Sequence, residues 1–150
     1  VREYARITKI TPPTASKLLT QYLEKGLINK EEEKNYIYYT ANKNSPLFIR
    51  LSQAYWFERF KKIGILDYLD KELITPTVFL FGSFSKAEIT PNSDIDLAIF
   101  TSSKRKLNFD SFEKKLNRKI DVFVFKNLDD IKNKELLKNI LNGYTILGGW

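Results

Sequence analysis

The sequence predicts an α/β (α+β) chain in which a small mixed sheet flanked by helices follows a separate N-terminal domain of short helices and a hairpin. Three observations carry that expectation. Thr77 to Phe100, TVFLFGSFSKAEITPNSDIDLAIF, reads as an apolar strand, a tight Gly-Ser turn, a short helical segment, a Pro-Asn-Ser loop and a second strand. Ile120 to Phe125 is another apolar run of strand length, broken only by Asp121. The first third instead carries apolar residues at helical spacing behind a Pro-Pro pair.

In chain order, Val1 to Ile10 is expected to form a short helix. From Thr11 the chain reads TPPTASKLLTQYLEKGLI. Pro12 and Pro13 suit a helix entry, Leu18, Leu19, Tyr22 and Leu23 share one face, and Gly26 is a natural stop. A charged turn at Asn29 to Asn35 and a run from Tyr36 to Thr40 then read as a hairpin. This arrangement resembles a winged helix-turn-helix over residues 1–43, with Pro13 to Lys25 as recognition helix and the turn around Glu31 to Lys34 as wing tip. The first helix of that fold is missing; the chain opens on Val and holds no Met, so sequence upstream of Val1 is expected. The resemblance implies DNA binding through Thr14, Ser16, Lys17 and Gln21, outward-facing early on the helix, where base edges are read. Residues 1–56 carry nine basic and five acidic side chains, a modest net of +4, and Glu31 to Glu33 put negative charge where a DNA-touching wing favours Lys or Arg. A dimerisation or protein-binding module is therefore the alternative.

Residues 44–74 are expected to be a helical linker of one long amphipathic helix or two, begun by Ser45-Pro46. Leu47, Leu51, Tyr55, Phe57, Phe60, Ile63, Leu66 and Leu69 supply the apolar positions. Core packing accounts for most of these, while the aromatics Tyr55, Trp56, Phe57 and Phe60 also suit a homodimer interface.

The chemistry is concentrated in residues 77–100. Side chains alternate across a strand, so Asp94 and Asp96 point to one face and Ile95, Leu97 and Ile99 to the other. Two neighbouring carboxylates repel each other, and oxygen-only ligands suit Mg²⁺, which accepts phosphate oxygens as further ligands. Gly82 allows a sharp turn and a close approach to a ligand. Ser83 offers a hydroxyl where a helix is expected to begin, and the open N–H groups of a first helical turn favour phosphate. Asp121, alone in an apolar run, is costly to bury unless paired or bound to metal.

The pattern Gly-Ser, ten residues, Asp-x-Asp resembles the signature of the DNA polymerase beta superfamily of nucleotidyltransferases, and GSFSKAE…NSDIDLAIF is most similar to its minimal members. The resemblance covers about residues 75 to 147, so a nucleotidyltransferase domain is expected over 75–150. It implies that Gly82, Ser83 and Lys86 bind a nucleoside triphosphate, that Asp94 and Asp96 bridge two Mg²⁺ ions, and that Asp121, the third catalytic carboxylate, binds the catalytic ion and can accept the proton. Lys86-Ala87 stands where these minimal enzymes more usually have Arg-Gly; Lys keeps the charge and loses the bidentate fork.

Phe109 to Asn117 and Asp129 to Asn142 read as helices, the second ended by Gly143. The basic clusters Lys104 to Lys106 and Lys114 to Lys119 are solvated faces or attract nucleotide and acidic acceptors. With no His and no Cys, catalytic triads, thiol nucleophiles, Cys/His zinc sites and disulfides are excluded. No membrane-spanning run or signal-peptide pattern occurs, so a cytoplasmic location is expected.

Three functions compete. One is transfer of NMP, AMP from ATP, to a protein hydroxyl, as the resemblance to antitoxin-type enzymes implies, with a partner toxin protein and a winged helix acting on its own operon. A second is a transcriptional regulator that only senses nucleotide, and a third is a small-molecule nucleotidyltransferase.

Overall fold

The computed structural model describes residues 1–149; Trp150, the last residue of the predicted C-terminal domain, lies outside the described residues. The chain divides into two compact units between Arg50 and Leu51.

In the first unit, α1 (Arg2–Thr8) is closed by Lys9 in the left-handed region at φ 57°. Helix α2 (Pro12–Glu24) is capped by Thr11, whose hydroxyl accepts from the Thr14 N–H at 3.5 Å, and the proline pair sits at its first positions. It buries Ala15 and Leu19, while Leu18, Tyr22 and Leu23 are half-buried. Gly26, at φ 66°, turns the chain into an antiparallel hairpin of β1 (Ile28–Glu33) and β2 (Tyr36–Ala41). Lys34 and Asn35 both have positive φ, 49° and 64°, the mark of a two-residue turn whose twist matches the strands. The expected charged turn over Asn29 to Asn35 is thus corrected to a strand ending in that tight turn. Lys30, Glu31 and Glu32 are compatible with a strand because nearly every residue of the hairpin is exposed; cross-strand pairs with Tyr39, Tyr38 and Ile37 take the place of burial.

Helix α3 (Pro46–Ile63) starts where the Ser45 hydroxyl accepts from the Phe48 N–H at 3.4 Å, and it runs through the division between the units. Gly64, at φ 84°, breaks it from α4 (Ile65–Glu72), so the expected helical stretch is two helices.

The second unit is built on a four-stranded mixed sheet in the order β5-β4-β3-β6, from β3 (Thr77–Phe81), β4 (Ile95–Phe100), β5 (Ile120–Phe125) and β6 (Tyr144–Leu147). The small mixed sheet flanked by helices is present as expected. Strand β3 is antiparallel to β4 and β6, while β4 and β5 are parallel. One face carries Val78, Leu80, Ile95, Leu97, Ile99 and Ile120 against Phe60 of α3, Ile65, Leu66 and Leu69 of α4, and Phe112 and Leu116 of α5 (Asp110–Leu116). The other packs Phe81, Ala98 and Phe100 against Ile131 and α6 (Lys134–Leu141) through Ile140. Trp56 packs on the first of these cores and Phe60 is buried in it, so of the four aromatics suited to an interface only Tyr55 and Phe57 are exposed.

The helix expected from Asp129 begins instead at Lys134. Asn127 caps a short 3-10 turn at Leu128–Asp130, and Asn133 then accepts from the Glu135 and Leu136 N–H groups at 2.9 and 3.1 Å to start α6. Among the described residues, no helix is long and apolar enough to cross a membrane.

Candidate active site

The Gly-Ser turn, the Asp-x-Asp segment and Asp121 converge on one rim of the sheet because β3 ends where its antiparallel neighbour β4 begins. Phe81 pairs with Asp96 across that ladder, and Asp96 pairs with Asp121 across the parallel one. By strand alternation, Asp96 and Asp121 share the face of Ala98, Phe100 and Phe123.

Gly82 leaves β3 at φ 68°, and a methyl group placed on it would overlap the Asp96 carboxylate. Glycine is required here twice, by backbone conformation and by that close approach. The expected helix after Ser83 is corrected: Gly82–Phe84 is a single 3-10 turn, and Ala87 at φ 57° prevents its extension. A phosphate would therefore meet the turn itself and not a helix N-terminus. That turn is tied down from two sides. The Ser85 hydroxyl donates to the Gly82 carbonyl at 2.8 Å, and the Gln53 amide of α3 donates to the Ser85 carbonyl at 2.8 Å. Tyr144 in turn donates to the Gln53 carbonyl at 3.2 Å, and burial pushes its phenol well above the usual range. Ser83 is half-buried, and Lys86 is exposed just beyond the turn.

The three carboxylates differ. Asp96 is half-buried, and burial, then the Asp121 and Asp94 charges, push its pKa up from 3.8 to about 6. Asp94 lies just before β4 and is exposed. Asp121 is also exposed, which corrects the expectation of a buried carboxylate: β5 is the edge of the sheet, so its apolar neighbours leave that side chain in solvent. Nor do the three form a closed ligand set; among the described residues no three acidic side chains gather tightly enough to hold a metal ion. Asp94 and Asp121 are near enough to act on Asp96, yet mutual repulsion opposes closer convergence.

Beside Asp94 opens a cleft of about 480 Å³ walled by Pro91 to Ser93, Glu113, Lys114 and Asn117 to Lys119. Its cations come from the basic cluster that sequence reasoning left as a solvated face or an attractor of acidic ligands. Lys114 and Lys119 are exposed, whereas Arg118 is half-buried and bonded to the loop before Asp94. On the N-terminal unit, Thr14, Ser16, Lys17 and Gln21 are all exposed on α2, with the Thr14 hydroxyl 2.9 Å from that of Thr11.

Residues 64–148 match the family model described as Polymerase beta, Nucleotidyltransferase, more than half of the chain. No curated protein matches the chain.

Proposed function

Given that the chain belongs to the polymerase beta nucleotidyltransferase family, we propose that it transfers a nucleoside monophosphate, AMP from ATP, to a protein hydroxyl at the rim of β3, β4 and β5. The observation that carries this reading is the pairing of Asp96 with Asp121 directly against the Gly82 turn.

The donor set fits a hard divalent cation. Burial first, and then the neighbouring Asp121 and Asp94 charges, raise Asp96, a penalty on its charged form that a bound cation would relieve, and the exposed Asp94 and Asp121 leave room for the waters Mg²⁺ retains. Asp94, Asp96 and Asp121 would hold it. Bound there, Mg²⁺ supplies neutralisation of the triphosphate charge and a lower pKa for the attacking hydroxyl. Gly82 and Ser83 bind phosphate oxygens through the turn held by Ser85 and Gln53, and Lys86 meets the outer phosphates from solvent. The acceptor oxygen bonds to the α-phosphorus, the bond to pyrophosphate breaks, and Asp121 takes the hydroxyl proton. The cleft beside Asp94, with Lys114 and Lys119 on its wall, suits an acidic stretch of the acceptor protein.

The two helices and hairpin of the first unit support a DNA-binding winged helix using Thr14, Ser16, Lys17 and Gln21, and with it an antitoxin that acts on a partner toxin and its own operon. The exposed Leu51 and Tyr55, spaced i, i+4 on α3 within the second unit, suit a homodimer. A regulator that binds nucleotide without transferring it is the second reading, favoured by the open spacing of the three carboxylates.

Calorimetric titration with ATP, with and without Mg²⁺, tests the site. Metal-dependent affinity that is lost in Asp94→Ala is the expected result, and equal affinity in both conditions sinks the reading. Labelled ATP with a co-encoded protein then separates transfer from sensing.

A further inference from the structure

Arg118 touches two of the three segments that make the rim from within the third. It lies two residues before β5, whose second residue is Asp121. Its Nη1 donates to the carbonyls of Thr90, Pro91 and Ser93 at 2.9, 3.3 and 2.8 Å. Its guanidinium lies 5.4 Å from the ring centre of Phe84, which ends the Gly82–Phe84 turn and is fully buried. The flanking backbone is itself fixed, because the Lys119 carbonyl accepts from the Ile95 N–H at 2.9 Å and Glu113 accepts from the Ile120 N–H at 2.8 Å.

From this arrangement, resting on the site as read above, we infer that Arg118 is a positioning residue that locks the Thr90–Ser93 loop and so fixes Asp94 against Asp96 and Asp121. Three carbonyl oxygens aimed at one point repel each other unless a cation sits there. The loop also closes on itself, with the Thr90 N–H donating to the Ser93 hydroxyl at 2.9 Å and the Ser93 N–H to the Thr90 carbonyl at 3.2 Å. That closure brings the carbonyls together and leaves Arg118 to neutralise them. Asp94 is the next residue, outside the strand ladder, so the loop is what sets its position. The guanidinium also makes a cation–π contact with Phe84, its central carbon 5.4 Å from the ring centre, and so ties the phosphate turn to the carboxylates. A lysine could satisfy the three carbonyls with its three donors but has no second group left for the ring.

Hydrogen exchange by mass spectrometry and calorimetry on the parent, Arg118→Ala and Arg118→Lys test this together. In Arg118→Ala, exchange over residues 90–95 accelerates at least tenfold while peptides within β3 keep parental rates. The Mg²⁺-dependent part of ATP affinity falls by about 10- to 100-fold, the range for losing a partner that orients a metal ligand, and metal-free ATP affinity holds. Arg118→Lys recovers loop protection and only part of the affinity. Parental exchange over 90–95 together with parental metal-dependent affinity in a folded Arg118→Ala overturns the inference. If circular dichroism shows Arg118→Ala unfolded, Arg118→Gln replaces it under the same criteria. A parent protein without metal-dependent ATP affinity sinks the transferase reading instead, and the exchange arm still decides the role of Arg118.

Discussion

Asp96 on β4 and Asp121 on β5 occupy opposed positions of a parallel ladder, one strand spacing of about 4.8 Å apart. Their side chains leave the same face of the sheet. They nevertheless live in different environments, Asp96 half-buried beneath the Gly82 turn and Asp121 in solvent on the edge strand. In the proposed reaction Asp121, open to solvent, is the carboxylate that an acceptor hydroxyl can reach, while Asp96 anchors the site beneath the turn.

Asp121→Asn should therefore retain nucleotide binding and lose transfer. The amide keeps the shape and cannot accept the proton, and loss of such a group costs at least about 10²-fold in rate. Transfer of label from ATP, measured beside calorimetric affinity, checks it; a variant as active as the parent removes Asp121 from the chemistry.

Asp96 makes stability depend on pH. Its folded-state value, about 6, is above its ordinary 3.8, so the folded protein holds the proton more tightly. The stabilisation is fully present below pH 3.8 and lost as pH rises through 6. A shift of about two units corresponds to roughly 2.7 kcal/mol, which solvent screening of a half-exposed group reduces to about 1 kcal/mol. Urea unfolding should find Asp96→Asn more stable than the metal-free parent by about that amount at pH 7.5, and little different near pH 4. Mg²⁺ affinity should weaken below pH 6, where a proton competes for Asp96.

Gly82→Ala should damage the site more than the fold. The left-handed backbone costs a non-glycine residue about 1–2 kcal/mol, and the new methyl displaces the Asp96 carboxylate. A modest drop in melting temperature with abolished Mg²⁺-dependent ATP binding is expected. Unchanged affinity would mean that Asp96 does not need its present position.

Charge reversal at the cleft should separate acceptor from nucleotide. Lys114→Glu with Lys119→Glu leaves the rim carboxylates in place and repels an acidic acceptor, so the apparent KM for acceptor should rise at least about tenfold, a change of 1.4 kcal/mol, with ATP affinity held. Steady-state transfer with varied acceptor is the measurement.

Replacing Lys17 and Gln21 with Ala should weaken binding to DNA upstream of the gene and spare the fold, since both are exposed on α2. Affinity by fluorescence anisotropy should fall with salt at a slope of about −0.9 per phosphate contact. Asp94→Ala should bind DNA like the parent; loss in that variant alone would put the nucleic acid in the transferase cleft.

Much of the second unit was legible because its strands are short and apolar. Val78 to Phe81 and Ile120 to Phe125 stand out against a charged chain, and the spacing from Gly82 to Asp96 carries chemistry that periodicity alone does not. The missed elements had competing local signals. Strand β6 is four residues behind a glycine, too short to register, and Asp129-Asp130 looked like a helix start until Asn133 proved the better cap. The surroundings of Asp121 depend on whether β5 lies inside the sheet or at its edge, which no single strand states about itself. Arg118 was hidden in a basic run, since its task is set by carbonyls more than twenty residues away.

The edge position of β5 has one more effect. An apolar strand with no strand on its outer side among the described residues, and with Val124 52% exposed, is a template on which another copy of the chain can add a strand. Asp121 in that strand, with Lys119 and Lys126 at its ends, is the kind of charge that discourages such stacking. The same carboxylate thus guards against aggregation, and Asp121→Asn should scatter more light on concentration or mild heating than Asp94→Ala, whose substitution lies off the edge.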